Sequence, residues 1–311
     1  AIDDLLSQLL LLTMDHVEVI GINVTPADCF LEPAIESTHK LLQLFQQTNI
    51  PIGRSEQNGV NAFPNEWRAR PEVVNALPML INMDNPVDPY ALPNAVDLLT
   101  AQLLAAHQPV TILITGPCSN LTAALKRKPE LRTQIKQVIW MAGAFRTSGN
   151  VQTYQHNGTA EWNVYWDPQS SKALFELELP LLCIPLDVTN HVPVSKEFLS
   201  RLALQANHPL SNLAGQLWAL TIDTIPSYHY VYFMWDVLAT SYIALSQYFT
   251  VEEVQATVSD RPPNAGQTLI HPDGYNVKIA THIEKEQFYQ YILKQLETEI
   301  SLYTTAHALG D

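Results

Sequence analysis

The chain has 311 residues, 47% hydrophobic and 15% charged, with 17 basic against 31 acidic side chains and a net charge of −14. That balance supplies a folded core and argues against disorder; it also argues against a nucleic-acid partner, whose phosphates need a basic face. Cys29, Cys118 and Cys183 lie far apart without zinc or disulfide spacing, which points to a reducing, cytoplasmic setting, and no apolar run reaches the roughly 18 to 20 residues that cross a bilayer.

Asp3 and Asp4 stand where an apolar helix over 5–14 begins. Free N–H groups and the macrodipole favour acids at a helix start, so ordinary capping accounts for either residue alone. Trp235-Asp236 opens a second apolar helix over 233–247, and two acidic helix starts side by side are what a Ca²⁺ or sugar-diol site needs. Residues 16–25 (HVEVIGINVT) read as a short β-branched strand and 33–47 as a helix. The stretch 54–88, rich in Asn, Pro, Glu and Arg, reads as a long loop of the kind that often serves as a lid.

A helix over 94–107 follows, then a buried strand over 109–115 (PVTILIT) that turns at Gly116-Pro117-Cys118-Ser119-Asn120 into another helix. A strand over 137–143 leads into a second long loop over 144–163. After a helical stretch over 172–177, the strand over 181–187 (LLCIPLD) ends in Asp187. Helices over 195–206 and 210–225, strands over 254–258 and 276–280, and a closing helix over 285–303 complete the chain. Strand and helix alternate without repeat or linker, which predicts one α/β domain over 1–311 with a mostly parallel sheet flanked by helices.

In such sheets ligands bind beyond the carboxyl ends of the strands. Those ends carry Asp28, Thr115, Met141 and Asp187, joined by Asp3, Asp4 and Asp236 if their helices start at the same edge. No Ser-His-Asp order, P-loop or GxGxxG fingerprint is present. Carboxylates with Glu161 and Asn163, free of histidine and cysteine, make a hard-oxygen set suited to Ca²⁺ or Mg²⁺ rather than zinc.

Several blocks resemble the inosine–uridine-preferring nucleoside hydrolases. Ala1-Ile2-Asp3-Asp4 looks like the second half of that family's opening Asp-x-Asp-x-x-x-Asp-Asp motif. The likeness continues through Val19-Ile20-Gly21-Ile22-Asn23-Val24-Thr25, Thr115-Gly116-Pro117, Val138-Ile139-Trp140-Met141-Ala142-Gly143, Glu161-Trp162-Asn163-Val164, Leu186-Asp187-Val188-Thr189 and Trp235-Asp236. The resemblance implies a Rossmann-like sheet and calcium-dependent hydrolysis of ribonucleosides to ribose and free base. It also implies a homodimer or homotetramer. It places Ca²⁺ on Asp4, Asp236 and the Thr115 carbonyl, and the ribose against Asp3, Met141, Glu161 and Asn163.

Three departures follow from the same comparison. The first Asp pair of the motif, with the general base, and the first strand are expected upstream of residue 1. Asp28 stands where the family usually has Asn. Trp235 stands where purine/uridine-type members have the histidine associated with leaving-group protonation, which suggests stacking on the base, with Tyr228 and His229 as nearby sources of contacts and a proton. Two rivals stay open: a hydrolase of another N-ribosyl compound, and a non-catalytic ribosyl- or calcium-binding protein.

Overall fold

The computed structural model describes residues 2–65, 68, 75–81, 83, 87–152, 155–224 and 231–300, with the backbone alone at 222–224. Its centre is a sheet in which β3 (Val110–Ile114), β4 (Ile135–Trp140), β5 (Leu181–Cys183) and β8 (Tyr275–Ile283) run parallel. β6 (Phe249–Val258) and β7 (Thr268–Ile270) extend it antiparallel, in the order β3-β4-β5-β8-β6-β7. The inner strand β5 is a continuous, fully buried apolar run because helices cover both faces there.

One face buries Leu9 and Leu10 of α1 (Ile2–Leu12), Leu217 and Trp218 of α9 (Pro209–Thr224), Leu238 of α10 (Trp235–Leu245) and Phe288 of α11 (Lys285–Gln295) in a single apolar cluster. Phe198 of α8 (Lys196–Leu204) joins them. The other face packs Leu125 of α4 (Ser119–Arg127) and Phe175 of α6 (Pro168–Glu176) around Trp140. The helix α3 (Ala95–Ala105) is capped by Asn94, whose side chain accepts from the Val96 N–H.

The two remaining strands, β1 (Ile22–Val24) and β2 (Ile52–Arg54), form a separate parallel pair. β1 and β3 both border a cavity of about 1610 Å³ that runs from Gly21 and Val110 to Thr25 and Thr115. Leu5 and Gln8 of α1 and Leu98 and Gln102 of α3 add to its lining. At the carboxyl end the two sheets are bridged: Ser55 Oγ donates to Asn120 Oδ1 at 2.9 Å, and Asn120 Nδ2 donates to Thr25 Oγ1 at 2.9 Å.

Some expected elements differ. The strand foreseen over 16–25 contracts to Ile22–Val24, since β2 is its one strand partner among the described residues. The segment 181–187 leaves the sheet after Cys183, and Leu186–Thr189 form a helical turn, α7, so Asp187 does not sit at a strand end. The strand over 254–258 is longer, Phe249–Val258, and antiparallel to β8. β2, β7 and the five-residue helix α5 (Trp162–Trp166) carry too few residues to show a period. The closing helix ends at Gln295.

Candidate active site

α1 and α10 begin at the same place, beside the carboxyl ends of the strands. Asp3, in the first turn of α1, is 4% exposed and accepts the Asp236 N–H on Oδ2 at 2.5 Å. It thereby caps α10, whose own N-cap residue, Met234, makes no side-chain cap. The second oxygen, Oδ1, is buried with no hydrogen-bond partner. Burial raises the Asp3 carboxyl to about 8, against the opposing pull of the Asp236 N–H. Asp236 is raised well above the usual carboxylate range, first by burial and then by the charges of Asp4 and Asp3. Asp28 is raised by burial, with the Asp4 charge acting in the same direction. Four carboxyl groups thus crowd one buried corner, and Asp4 and Asp28 line the cavity there.

From Asp4 the contacts continue across the sheet edge. Thr115, just past β3, donates its hydroxyl to Asp4 Oδ1 at 2.5 Å. The Thr115 carbonyl accepts from Asn163 Nδ2 at 2.9 Å, and the same amide donates to the Met141 carbonyl at 3.0 Å. Asn163 Nδ2 also lies 3.4 Å from Met141 Sδ, and Met141 is itself 2% exposed.

Asn163 is held in the first turn of α5, which Glu161 caps. Glu161 Oε1 accepts the Asn163 N–H at 2.8 Å, while Oε2 accepts from Gly143 at 3.2 Å and Val164 at 3.3 Å. Burial pushes the Glu161 carboxyl up to about 7 despite these donors. The first long loop packs along α5: Asn61 donates to the Tyr165 carbonyl near its far end at 2.7 Å, and Phe63 stacks on Trp162 at its start at 4.4 Å.

Asp3, Asp4, Thr115, Met141, Glu161, Asn163 and Asp236 therefore share one contiguous network, with Asp28 beside it. Trp235 starts α10 next to Asp236, but its ring packs edge-on against Tyr232 at 4.8 Å and its buried indole N–H has no partner. Tyr228 and His229 lie outside the described residues. Asp187 works elsewhere: its carboxylate accepts the N–H groups of Phe145 at 2.8 Å and Arg146 at 2.7 Å, fixing the backbone after β4. His156 accepts the Gly158 N–H at 3.0 Å and bonds the Ala265 carbonyl at 2.8 Å, so it pins the second loop.

Cys29, next to Asp28, is buried and raised to about 12 by burial; Cys118 and Cys183 are buried and raised for the same reason. The bridge Thr25–Asn120–Ser55 was not foreseen as a unit. Its one sequence signal is that Thr25 and Ser55 are hydroxyl residues that each directly follow a short strand.

The sheet, with oxygen donors clustered at its carboxyl edge, defines an α/β protein with a polar site for a small ligand, and similarity to known proteins makes it an N-ribosyl hydrolase. Residues 1–290 match the family of inosine-uridine preferring nucleoside hydrolases, and the chain belongs to it. The inosine-uridine preferring nucleoside hydrolase of Bacillus anthracis superposes with a TM-score of 0.88 at 34% identity, over 95% of this chain and 96% of that one. The pyrimidine-specific ribonucleoside hydrolase RihA of Salmonella typhimurium is 27% identical over 232 residues, 73% of this chain and 69% of its own length. A purine-preferring ribonucleoside hydrolase from Gardnerella vaginalis shares the fold, with a TM-score of 0.78 at 19% identity, covering 96% of this chain and 95% of that one. No described helix is long and apolar enough to cross a membrane.

Proposed function

We propose that the protein hydrolyses the N-glycosidic bond of ribonucleosides with a bound Ca²⁺, releasing ribose and free base. The observation that carries this reading is Asp3 Oδ1, a buried carboxyl oxygen without a hydrogen-bond partner beside a carboxylate cluster. A buried polar atom left unbonded is costly, and a ribose hydroxyl, which can donate or accept, supplies the missing partner. Asn163 spends its amide N–H on two main-chain carbonyls, which leaves Oδ1 to accept from a second hydroxyl. Recognition through both hydroxyls selects ribose over 2′-deoxyribose.

Among the described residues no three acidic, histidine or cysteine side chains converge closely enough to hold an ion by themselves. The donors nevertheless fit a hard cation: the carboxylates of Asp4 and Asp236, the Thr115 carbonyl and a substrate diol are all oxygen. Their crowding, seen in the raised Asp236, is what a bound cation relieves. When bound, Ca²⁺ orients a diol and acidifies water.

The protein's own groups then stabilise the transition state. Departure of the base leaves positive charge on the ribosyl carbon, which Asp3, Asp236 and Glu161 favour electrostatically in their ionised forms, the forms that a cation beside Asp4 and Asp236 would promote. Trp235 offers an aromatic wall next to Asp236 for the departing base.

Reducing-sugar release from a panel of ribonucleosides and 2′-deoxynucleosides, with calcium and with chelator, tests the reading on full-length protein. Ribose-specific, calcium-dependent release is expected. Full-length protein that binds calcium and ribose without turnover would establish the binding-protein alternative instead.

A further inference from the structure

Resting on the assignment of Asp236 to the metal and sugar site, we infer that Ser7 and Thr240 are positioning residues that fix the Asp236 backbone through a two-rung ladder between α1 and α10. Asp3 and Ser7 are one helical turn apart on α1, as Asp236 and Thr240 are on α10, so each pair shares one helix face. The first rung is the Asp236 N–H donated to Asp3 Oδ2 at 2.5 Å. In the second rung Thr240 Oγ1 and Ser7 Oγ are hydrogen-bonded to each other. Thr240 also donates to the Asp236 carbonyl at 2.9 Å. That bond uses the one proton of Thr240, so Ser7 is the donor between the two hydroxyls.

Both main-chain groups of Asp236 are therefore held, the N–H directly and the carbonyl through Thr240. Ser7 and Thr240 are 3% and 0% exposed, and their helices pack through Leu6, Leu10, Leu238 and Ala239. Alanine and valine would fill the same space without burying hydroxyls, whose desolvation is unfavourable unless bonded. The ladder gives these hydroxyls a use. It fixes the first turn of α10 against the first turn of α1, and with it the placement of the Asp236 carboxylate relative to Asp4.

The test compares the parent with Thr240→Val, Thr240→Ser, Ser7→Ala and Asp236→Ala, all in the full-length protein. Calcium affinity is read by titration calorimetry, kcat and KM by ribose release, and folding by the thermal midpoint in chelator. Thr240→Val keeps the shape and is expected to weaken calcium binding roughly 10-fold, as loss of a group supporting a metal ligand does. It should lower kcat more than it changes KM, and Thr240→Ser should restore both. Calcium affinity and kcat within twofold of the parent for Thr240→Val, with Asp236→Ala inactive, would overturn the inference. Should Thr240→Val fail to fold, Ser7→Ala decides, and unchanged affinity there overturns it equally. An Asp236→Ala variant that binds calcium and turns over like the parent would instead overturn the assignment of Asp236.

Discussion

Asn163 holds the carbonyl of Thr115 at 2.9 Å, although the two residues lie on different elements, 48 positions apart in the chain. Because the same amide also holds the Met141 carbonyl, the ends of the neighbouring strands β3 and β4 are set by one side chain. Asn163→Ala removes both bonds at once. We expect kcat/KM to fall at least roughly 10-fold, the usual scale for groups that orient a metal ligand. Steady-state kinetics at saturating calcium checks this, and an unchanged kcat/KM would contradict it.

Glu161 makes stability depend on pH in a definite direction. Burial raises its carboxyl from 4.5 to about 7, so the folded chain holds this proton more tightly than the unfolded chain does. The favourable contribution is complete below about 4.5 and is lost as pH rises through about 7. Glu161→Gln removes the titration but sets an NH2 group against backbone N–H donors that a carboxyl oxygen accepts in the parent. Urea unfolding from pH 4.5 to 8 should show the variant less stable than the parent at the acid end, with the gap narrowing as pH rises through about 7 because only the parent loses stability there. Parallel curves would refute the assignment.

Asp4→Asn tests the crowded corner by a different route. In the parent, calcium at a hundredfold excess over its Kd should stabilise the fold by roughly 2.7 kcal/mol through mass action. The variant should lose most of that gain. Thermal midpoints with calcium and with chelator measure both, and a parent that does not respond to calcium would count against the proposed ligand set.

Gly266→Ala should destabilise the wall behind α5. Gly266 has φ +81°, and an added Cβ would lie 2.6 Å from the Tyr165 Cα, a backbone atom that cannot swing away. A loss of roughly 1–3 kcal/mol is expected from overpacking, with left-handed strain added. The urea midpoint reports it, and a loss below about 0.5 kcal/mol would mean that α5 shifts freely.

Trp235→His should change the leaving-group profile more than the affinity for sugar. The substitution introduces a titratable donor beside Asp236. We expect kcat to rise for ribonucleosides with poor leaving bases while KM for the ribose moiety moves less than threefold, on the order of 0.6 kcal/mol. Comparing several bases at fixed pH measures it.

The strands β3 and β5 were legible in the sequence because aliphatic residues dominate them, as in Val110–Ile114 and Leu181–Cys183. The segment ending in Asp187 misled for the same reason: LLCIPLD is apolar enough to read as strand, yet the chain turns at Pro185 into a helix. Asp3, Asp4 and Asp236 stood out because acids opened two apolar helices. The part played by Asn163 did not, since its partners are main-chain carbonyls that carry no side-chain signal. Short α5 was hidden as well: five residues stabilised by Glu161 at one end and Asn61 at the other show no periodicity.

The three thiols give the molecule a gauge of its own opening. Cys29 lies in the corner of the carboxylates, whereas Cys118 and Cys183 belong to the cluster around Trp140 on the opposite face from α1. Buried and held as neutral thiols, none offers a thiolate to an alkylating reagent while the fold is closed. Labelling at neutral pH therefore reports excursions from the native state rather than surface chemistry. Modification of Cys29 ahead of the other two would show the carboxylate corner loosening before the sheet does.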